Sequence, residues 1–232
     1  MENKTEPSDR KNTKSKKVAK PKARPKFIVV EGGEGSGKST LLIALKEIYG
    51  DKIFVTREPG GSPYAEVIRE ATLKNPLAKT APAETTFCLM FAARFDNVKN
   101  SILPSLERGV PVIADRFDSS SYAYQVCGQS GGTLENMFWD FRNRLAVLPD
   151  LYIYMDVDPK EGLRRASLRN QSLLSGKQYD HFDDREIEFH TAVRDGYLKF
   201  LKKVPNIIID ANKPLEEVKD DFLAQMKGIL KS

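Results

Sequence analysis

The chain has 232 residues, 40% of them hydrophobic and 30% charged, with a formal net charge of +5. That length suits one α/β domain plus an extension, and a body of this size buries about 70–75% of its unfolded surface without a disulfide or metal staple. Cys88 and Cys127 lie far apart, His181 and His190 have no cysteine partners at zinc spacing, and no apolar run nears the ~18 residues of a membrane span, so a zinc framework and a spanning segment are excluded and a reduced, cytoplasmic setting is expected.

The positive charge is local. Residues 1–26 hold ten Lys and Arg against three acids, which leaves 27 basic and 29 acidic groups in the remainder. The tail has almost no large apolar side chains and cannot offset its ordering entropy by burial, so it reads as disordered. It lacks the apolar stretch of a secretory signal and the apolar face of a transit peptide. Two readings stay open for it: a loose contact with nucleic acid or an anionic surface, and a solvated extension without a role.

Residues 27–40 run Phe-Ile-Val-Val-Glu-Gly-Gly-Glu-Gly-Ser-Gly-Lys-Ser-Thr. The first four are β-branched or aromatic, a buried-strand composition, and the rest match G-x-x-x-x-G-K-[ST]. Leu41, Leu45 and Ile48 follow at i, i+4, i+7 and predict one apolar helix face. Strand, glycine loop and helix in that order make a phosphate-binding loop. Backbone N–H groups of Gly32, Gly33, Glu34, Gly35, Ser36 and Gly37 form an anion nest, and the helix start at Lys38, Ser39 and Thr40 adds its positive dipole end. Lys38 reaches the β- and γ-phosphates of a nucleotide, and the Ser39 hydroxyl is placed for Mg²⁺.

Further along, β-type runs at 53–56, 111–114, 151–155 and 207–209 alternate with helical patterns. The longest helix is predicted from about Pro82, as first helical residue, to about Ile102. Repeated β-α-β units of this length predict a parallel sheet covered on both faces, with ligands beyond the carboxyl ends of the strands. Four of the five strand ends there carry charge: Arg57-Glu58, Asp115-Arg116, Asp156-Val157-Asp158 and Asp210. A GTPase would need N-K-x-D to read its base, and the nearest string, Asn212-Lys213-Pro214-Leu215, has no Asp. Arginines at strand ends instead suit a reaction that brings two polyanions together.

The strings Glu31–Thr40, Thr56-Arg-Glu-Pro-Gly-Gly61, Phe91-Ala-Ala-Arg94, Ile102–Gly109, Asp115-Arg-Phe117, Ser120-Ser-Tyr-Ala-Tyr-Gln125, Asp156-Val-Asp-Pro159 and Val193-Arg-Asp-Gly-Tyr197 together resemble bacterial-type thymidylate kinases. The resemblance covers about residues 27–230. It implies a P-loop NTPase fold, a five-stranded parallel sheet with helices on both faces and a mobile lid at about 165–182. It implies transfer of the γ-phosphoryl group of ATP to dTMP with Mg²⁺, and a homodimer.

On that resemblance Asp115 assists Mg²⁺, Arg116 holds the acceptor phosphate, and Arg57 and Pro59 belong to the dTMP-binding turn. Arg94 hydrogen-bonds the thymine ring, Gln125 reads the base edge, and Ser121 lies in the same segment. Glu34 sits near the sugar 3′-hydroxyl, and Tyr124 crowds the 2′ position. Two departures stand out. The position four before Arg94, usually an aromatic that stacks on the base, is Met90, with Phe91 three before, so both are candidates for the pocket wall. The lid offers Arg165, Arg169 and Lys177, and His181 stands where a late arginine is expected. Arg165 is assigned to ATP and Arg169 to the transferring phosphoryl group. The alternatives are another nucleoside-monophosphate or deoxynucleoside kinase on the same scaffold, and a non-catalytic P-loop protein tethered to nucleic acid by its tail.

Overall fold

The computed structural model describes residues 24–172 and 185–231, with the side chains of 169–172 left out. Lys177, His181 and the tail up to residue 23 lie outside the described residues, as does the side chain of Arg169. Arg24, assigned to the tail by its composition, pairs with Asp150, which also accepts the amide of Phe27.

Five strands form one parallel sheet: β1 Phe27–Gly32, β2 Phe54–Arg57, β3 Val112–Asp115, β4 Leu151–Asp156 and β5 Asn206–Asp210. Their order across the sheet is β2-β3-β1-β4-β5. The predicted strands agree with these bounds to within a residue or so at either end. β1 is central and buried throughout, because a parallel strand between two others has no solvent face. Its side chains alternate between two cores. Phe27 and Val29 join Val112, Ala114, Tyr152 and Tyr154 under one layer of helices; Ile28 and Val30 join Ile113, Ile153 and Met155 under the other.

The second layer is α1 (Lys38–Tyr49) and α9 (Leu215–Lys231), which contribute Leu41, Leu42 and Leu45, and Val218, Phe222 and Met226. Here one expectation fails. Ile48 is 60% exposed; the buried face is Leu41, Leu42 and Leu45, completed by Tyr49. The stripe drifts by one residue because the sheet is met by positions 42, 45 and 49, a spacing as helical as 41, 45 and 48.

The first layer is built largely from the segment between β2 and β4. After α2 (Pro63–Arg69), α3 (Ala83–Asn97) starts one residue later than expected, with Pro82 as its cap. It widens into a π turn at Val98–Ile102 and continues as α4 (Leu103–Glu107). α5 (Asp118–Ser121) likewise passes into a π stretch, Tyr122–Gln129, before α6 (Glu135–Arg142). Such widened turns are frequent at functional sites, because they re-aim side chains that an α-helix would hold in register. α7 (Pro159–Ser172) and α8 (Ile187–Leu201) complete the fold.

Register decides what meets at the sheet edge. Arg57 pairs with Asp115, Val30 also with Asp115, and Gly32 with Met155. The chain leaves β1 toward one half of the sheet and returns to the other at β4, so the crevice lies at the end of β1, where the glycine loop starts.

Candidate active site

The glycine loop turns through residues at positive φ: Gly35 at 66° and Gly37 at 86°. These values strain any side chain but not glycine. Lys38 opens α1 and folds back over the loop, donating to the carbonyls of Gly32 (2.7 Å) and Gly33 (3.2 Å). Its ammonium is buried, and burial, with the Arg116 charge beside it, pulls its pKa down to about 8. Ser39 and Thr40 are exposed on the first turn of the helix.

Gly35 also makes a close approach. A Cβ there would collide with the carbonyl of Gly162 on α7, and a Cβ on Gly162 would collide with the carbonyl of Glu34. Helix α7 thus lies directly on the loop backbone. On the resemblance set out above, Gly162→Ala is therefore expected to push the loop and raise the KM for ATP by about tenfold, with a smaller change in the KM for dTMP. Steady-state kinetics in both substrates checks this.

Two grooves flank the loop. One is lined by Gly35, Gly37, Thr40, Arg165, Asn212 and Lys213. Arg165 lies across it, held by Glu161 (2.7 Å) and by the carbonyls of Ala211 (2.7 Å) and Asn212 (3.1 Å). The other passes Ser39, Arg57, Glu66 and Asp115. Oδ1 of Asp115 is buried there with no hydrogen-bond partner. A buried acceptor without a donor is costly, and a hard cation is one group that satisfies it. An unpaired carboxylate oxygen and a hydroxyl on one groove fit Mg²⁺, which takes one or two protein oxygens and keeps its remaining positions for phosphate and water.

On the far side of Arg116 is a pocket of about 520 Å³ of empty space, counting the part open to solvent. Glu34, Pro59, Met90, Arg94, Arg116, Ser121, Tyr124 and Gln125, all named from the resemblance, share its lining; Glu58, Arg69 and Leu73 line it too and were not foreseen. Arg94 is 2% exposed. Its Nε donates to Glu58 (2.7 Å), and its Nη2 donates to the Phe117 carbonyl (2.9 Å) and Ser121 Oγ (3.0 Å). Its Nη1 is buried with no partner. The solvated helix charge that a lone Arg on a helix suggests is therefore not what is found. Glu58 is as buried as its partner; burial raises its carboxyl to about 7 while Arg94 pulls the other way.

Phe91 does not line the pocket. It is fully buried among Phe87, Phe95, Phe138 and Phe141, with the Arg94 guanidinium 4.5 Å from its ring centre. One step along α3 rotates a side chain by about 100°, and here that step puts Met90 on the pocket and turns Phe91 into the aromatic core. Met90 is the residue on the pocket. Arg57 also lies elsewhere: more than half exposed, it pairs with Glu66 (2.9 Å) on the Ser39–Asp115 groove. Glu66 also accepts the amide of Gly61 (2.9 Å), so the turn after β2 is clasped from α2 and carries Arg57 outward. The missed residues had weak signals: Glu58 stands inside the Arg-Glu-Pro-Gly-Gly string, and Arg69 looks like any charge in a helix end.

A glycine loop on one side of Arg116 and a pocket lined by charged and polar side chains on the other suit a phosphoryl-transfer enzyme. The family model for thymidylate kinase matches residues 30–222. The chain belongs to the thymidylate kinase family. It is 37% identical over 199 residues to a thymidylate kinase of Hahella chejuensis, covering 83% of this chain and 91% of that one. A Clostridium novyi thymidylate kinase is 36% identical over 214 residues, covering 88% and 98%, and an Alkalilimnicola ehrlichii thymidylate kinase is 39% identical over 200 residues, covering 84% and 89%. As a thymidylate kinase it is a nucleoside-monophosphate kinase, and the family's reaction is ATP-dependent phosphorylation of dTMP to dTDP. Among the described residues no helix is long and apolar enough to cross a membrane.

Proposed function

We propose that ATP binds along the glycine loop and dTMP in the Arg94–Tyr124 pocket, with the γ-phosphoryl group passing between them beside Arg116. The observation that carries this is Arg94, a residue of the pocket lining whose Nη1 is buried with no partner. A buried guanidinium donor without an acceptor is uncommon, and a pyrimidine carbonyl oxygen satisfies it. Gln125 is buried on the same wall and serves the remaining base edge.

The chain's own groups then divide the work. Lys38 leaves the loop carbonyls for the nucleotide phosphates, whose negative charge stabilises its ammonium. Arg116 spans donor and acceptor phosphates, Glu34 Oε1 accepting from its Nη2 at 2.9 Å. The Tyr124 hydroxyl lies 3.4 Å from the same Glu34 oxygen, and both are assigned to the sugar. Met90 replaces a stacking ring with a thioether that fills the gap by rotation. Ser39 and Asp115 would hold Mg²⁺, which when bound neutralises charge on the β- and γ-phosphates. Arg57 and Pro59 complete the acceptor side, Arg57 by leaving Glu66 for the acceptor phosphate. Arg165 borders the donor groove, and Arg169 is assigned to the transferring phosphoryl group from the segment that follows. Assembly as a homodimer and residence in the cytoplasm belong to the same reading; Tyr64 and Val67 expose apolar surface on α2 for a second copy. The tail is left a loose, salt-sensitive contact with nucleic acid at most.

A coupled ADP-release assay across dTMP, dUMP, CMP and thymidine tests the reading. The fastest turnover is expected with dTMP, and none with thymidine, which brings no phosphate to Arg116. Preference for CMP or thymidine would sink it in favour of another kinase of the same scaffold.

A further inference from the structure

Glu31 is the one charged residue of β1, and it is fully buried. A carboxylate there is tolerated only if donors surround it. Four do. Oε1 accepts from the Phe117 amide (2.9 Å) and the Ser119 hydroxyl (2.6 Å). Oε2 accepts from the hydroxyls of Ser120 (2.8 Å) and Tyr197 (3.0 Å). Those two hydroxyls lie 2.7 Å apart, and both accept from Nη1 of Arg116, at 3.4 and 2.9 Å.

The protons can be counted. Two hydroxyls carry one proton each and share three contacts, two with Glu31 and one with each other. Every arrangement sends at least one proton to Glu31 and turns lone pairs of both oxygens toward the guanidinium. The negative charge of Glu31 is thereby relayed to Arg116 without a direct ion pair, and the guanidinium keeps its charge at the pocket mouth.

The same carboxylate reaches the Arg116 backbone. Among the described residues Arg116 is the only non-glycine at positive φ, 69°. That conformation is unfavourable for a residue with a Cβ and persists only where the surroundings over-determine it. Its amide donates to Val30 (3.0 Å), and the next amide, Phe117, donates to Glu31. Glu31 therefore holds the chain just beyond Arg116 with one oxygen and steers its side chain with the other. Against this pulls Glu34, paired with Nη2.

We infer that Tyr197, anchored by Glu31, is a positioning residue that aims Arg116 at the acceptor phosphate. It explains why Val193-Arg-Asp-Gly-Tyr197 stands out in the sequence: α8 lies against the Tyr122–Gln129 stretch, where a Cβ on Gly196 would meet Ala123 and Cys127 at about 3 Å, and that closeness brings the tyrosine hydroxyl to Arg116. The inference rests on the proposal that Arg116 meets the acceptor phosphate.

The test is Tyr197→Phe in the full chain, which keeps the ring against Tyr154 and Tyr124 and removes only the hydroxyl. With one anchor lost, Arg116 turns toward Glu34, and kcat is expected to fall about 10- to 100-fold with the KM for ATP within about twofold. Tyr152→Phe is the control. It deletes an equally buried hydroxyl of the same core that serves Asp118 (2.7 Å) and not Glu31 or Arg116, and it should lower Tm while leaving kcat in place. A Tyr197→Phe enzyme with kcat within about twofold of wild type, or an equal loss of kcat from Tyr152→Phe, overturns the inference. A wild-type enzyme that leaves dTMP unconsumed overturns instead the functional reading beneath it.

Discussion

Lys38→Met is expected to lower kcat by about 10²- to 10³-fold, the usual loss when one preorganised donor to transition-state charge is removed. The same variant should melt no lower than wild type. The reason is the burial of the ammonium, which with the Arg116 charge brings its pKa from 10.5 down to about 8. The sign follows from proton counts. Between pH 8 and 10.5 the unfolded chain holds a proton on Lys38 that the folded chain has lost, so stability rises with pH across that window. Below pH 8 the penalty is fully present, on the order of 3 kcal/mol. Methionine removes the penalty but leaves the carbonyls of Gly32 and Gly33 without their donor, which offsets part of the gain. Thermal melts of the two proteins at pH 7 and 9.5 check this: the difference in Tm should shrink at the higher pH. The kinetic counterpart is a fall in kcat/KM for ATP above pH about 8, because that quantity reports the free enzyme. The profile of kcat should bend at higher pH, since bound phosphates raise the lysine again.

Arg94→Met should have the larger effect on the acceptor side and a large effect on stability. Arg94 and Glu58 form a buried ion pair, 2% and 3% exposed. Removing one partner of such a pair costs about 3–5 kcal/mol, because the other charge is left uncompensated. Protonation of Glu58, already raised to about 7 by burial, limits the damage at lower pH. A second change, Glu58→Gln, should restore much of the lost Tm by removing the stranded charge. It should not restore substrate binding. Loss of a hydrogen bond from a charged donor corresponds to about 1.5–3 kcal/mol, so the KM for dTMP should rise about 10- to 150-fold in both the single and the double variant, with the KM for ATP unchanged. Equal recovery of stability and dTMP affinity in the double variant would mean that Arg94 serves the fold alone.

These two residues also mark how far a sequence carries. Lys38 was legible, because strand, glycine loop and helix are contiguous and each carries a local signature. The strands and their order of helices were legible for the same reason. Arg94 was legible only as a place in a string; nothing local distinguishes a buried helix arginine from a solvated one, and its partner is 36 residues away. Ile48 was misread because apolar spacing gives a stripe but not the line along which a sheet will meet it. Phe91 and Met90 were left as equals because adjacent helix positions differ only in the direction they face.

Read by itself, the chain determined its class, its loop for nucleotide phosphates and the kinship of its strings with thymidylate kinases, all of which depend on residues close together along the backbone. Tertiary packing decided which side chains turn inward: Met90 onto the pocket, Phe91 under Arg94, Arg57 out toward Glu66, and Glu31 and Tyr197, 166 residues apart, onto one oxygen-lined hold for Arg116. The division is physical. Hydrogen-bond partners distant in sequence are chosen by the register of the sheet and the approach of helices, and those are settled only when the whole core closes.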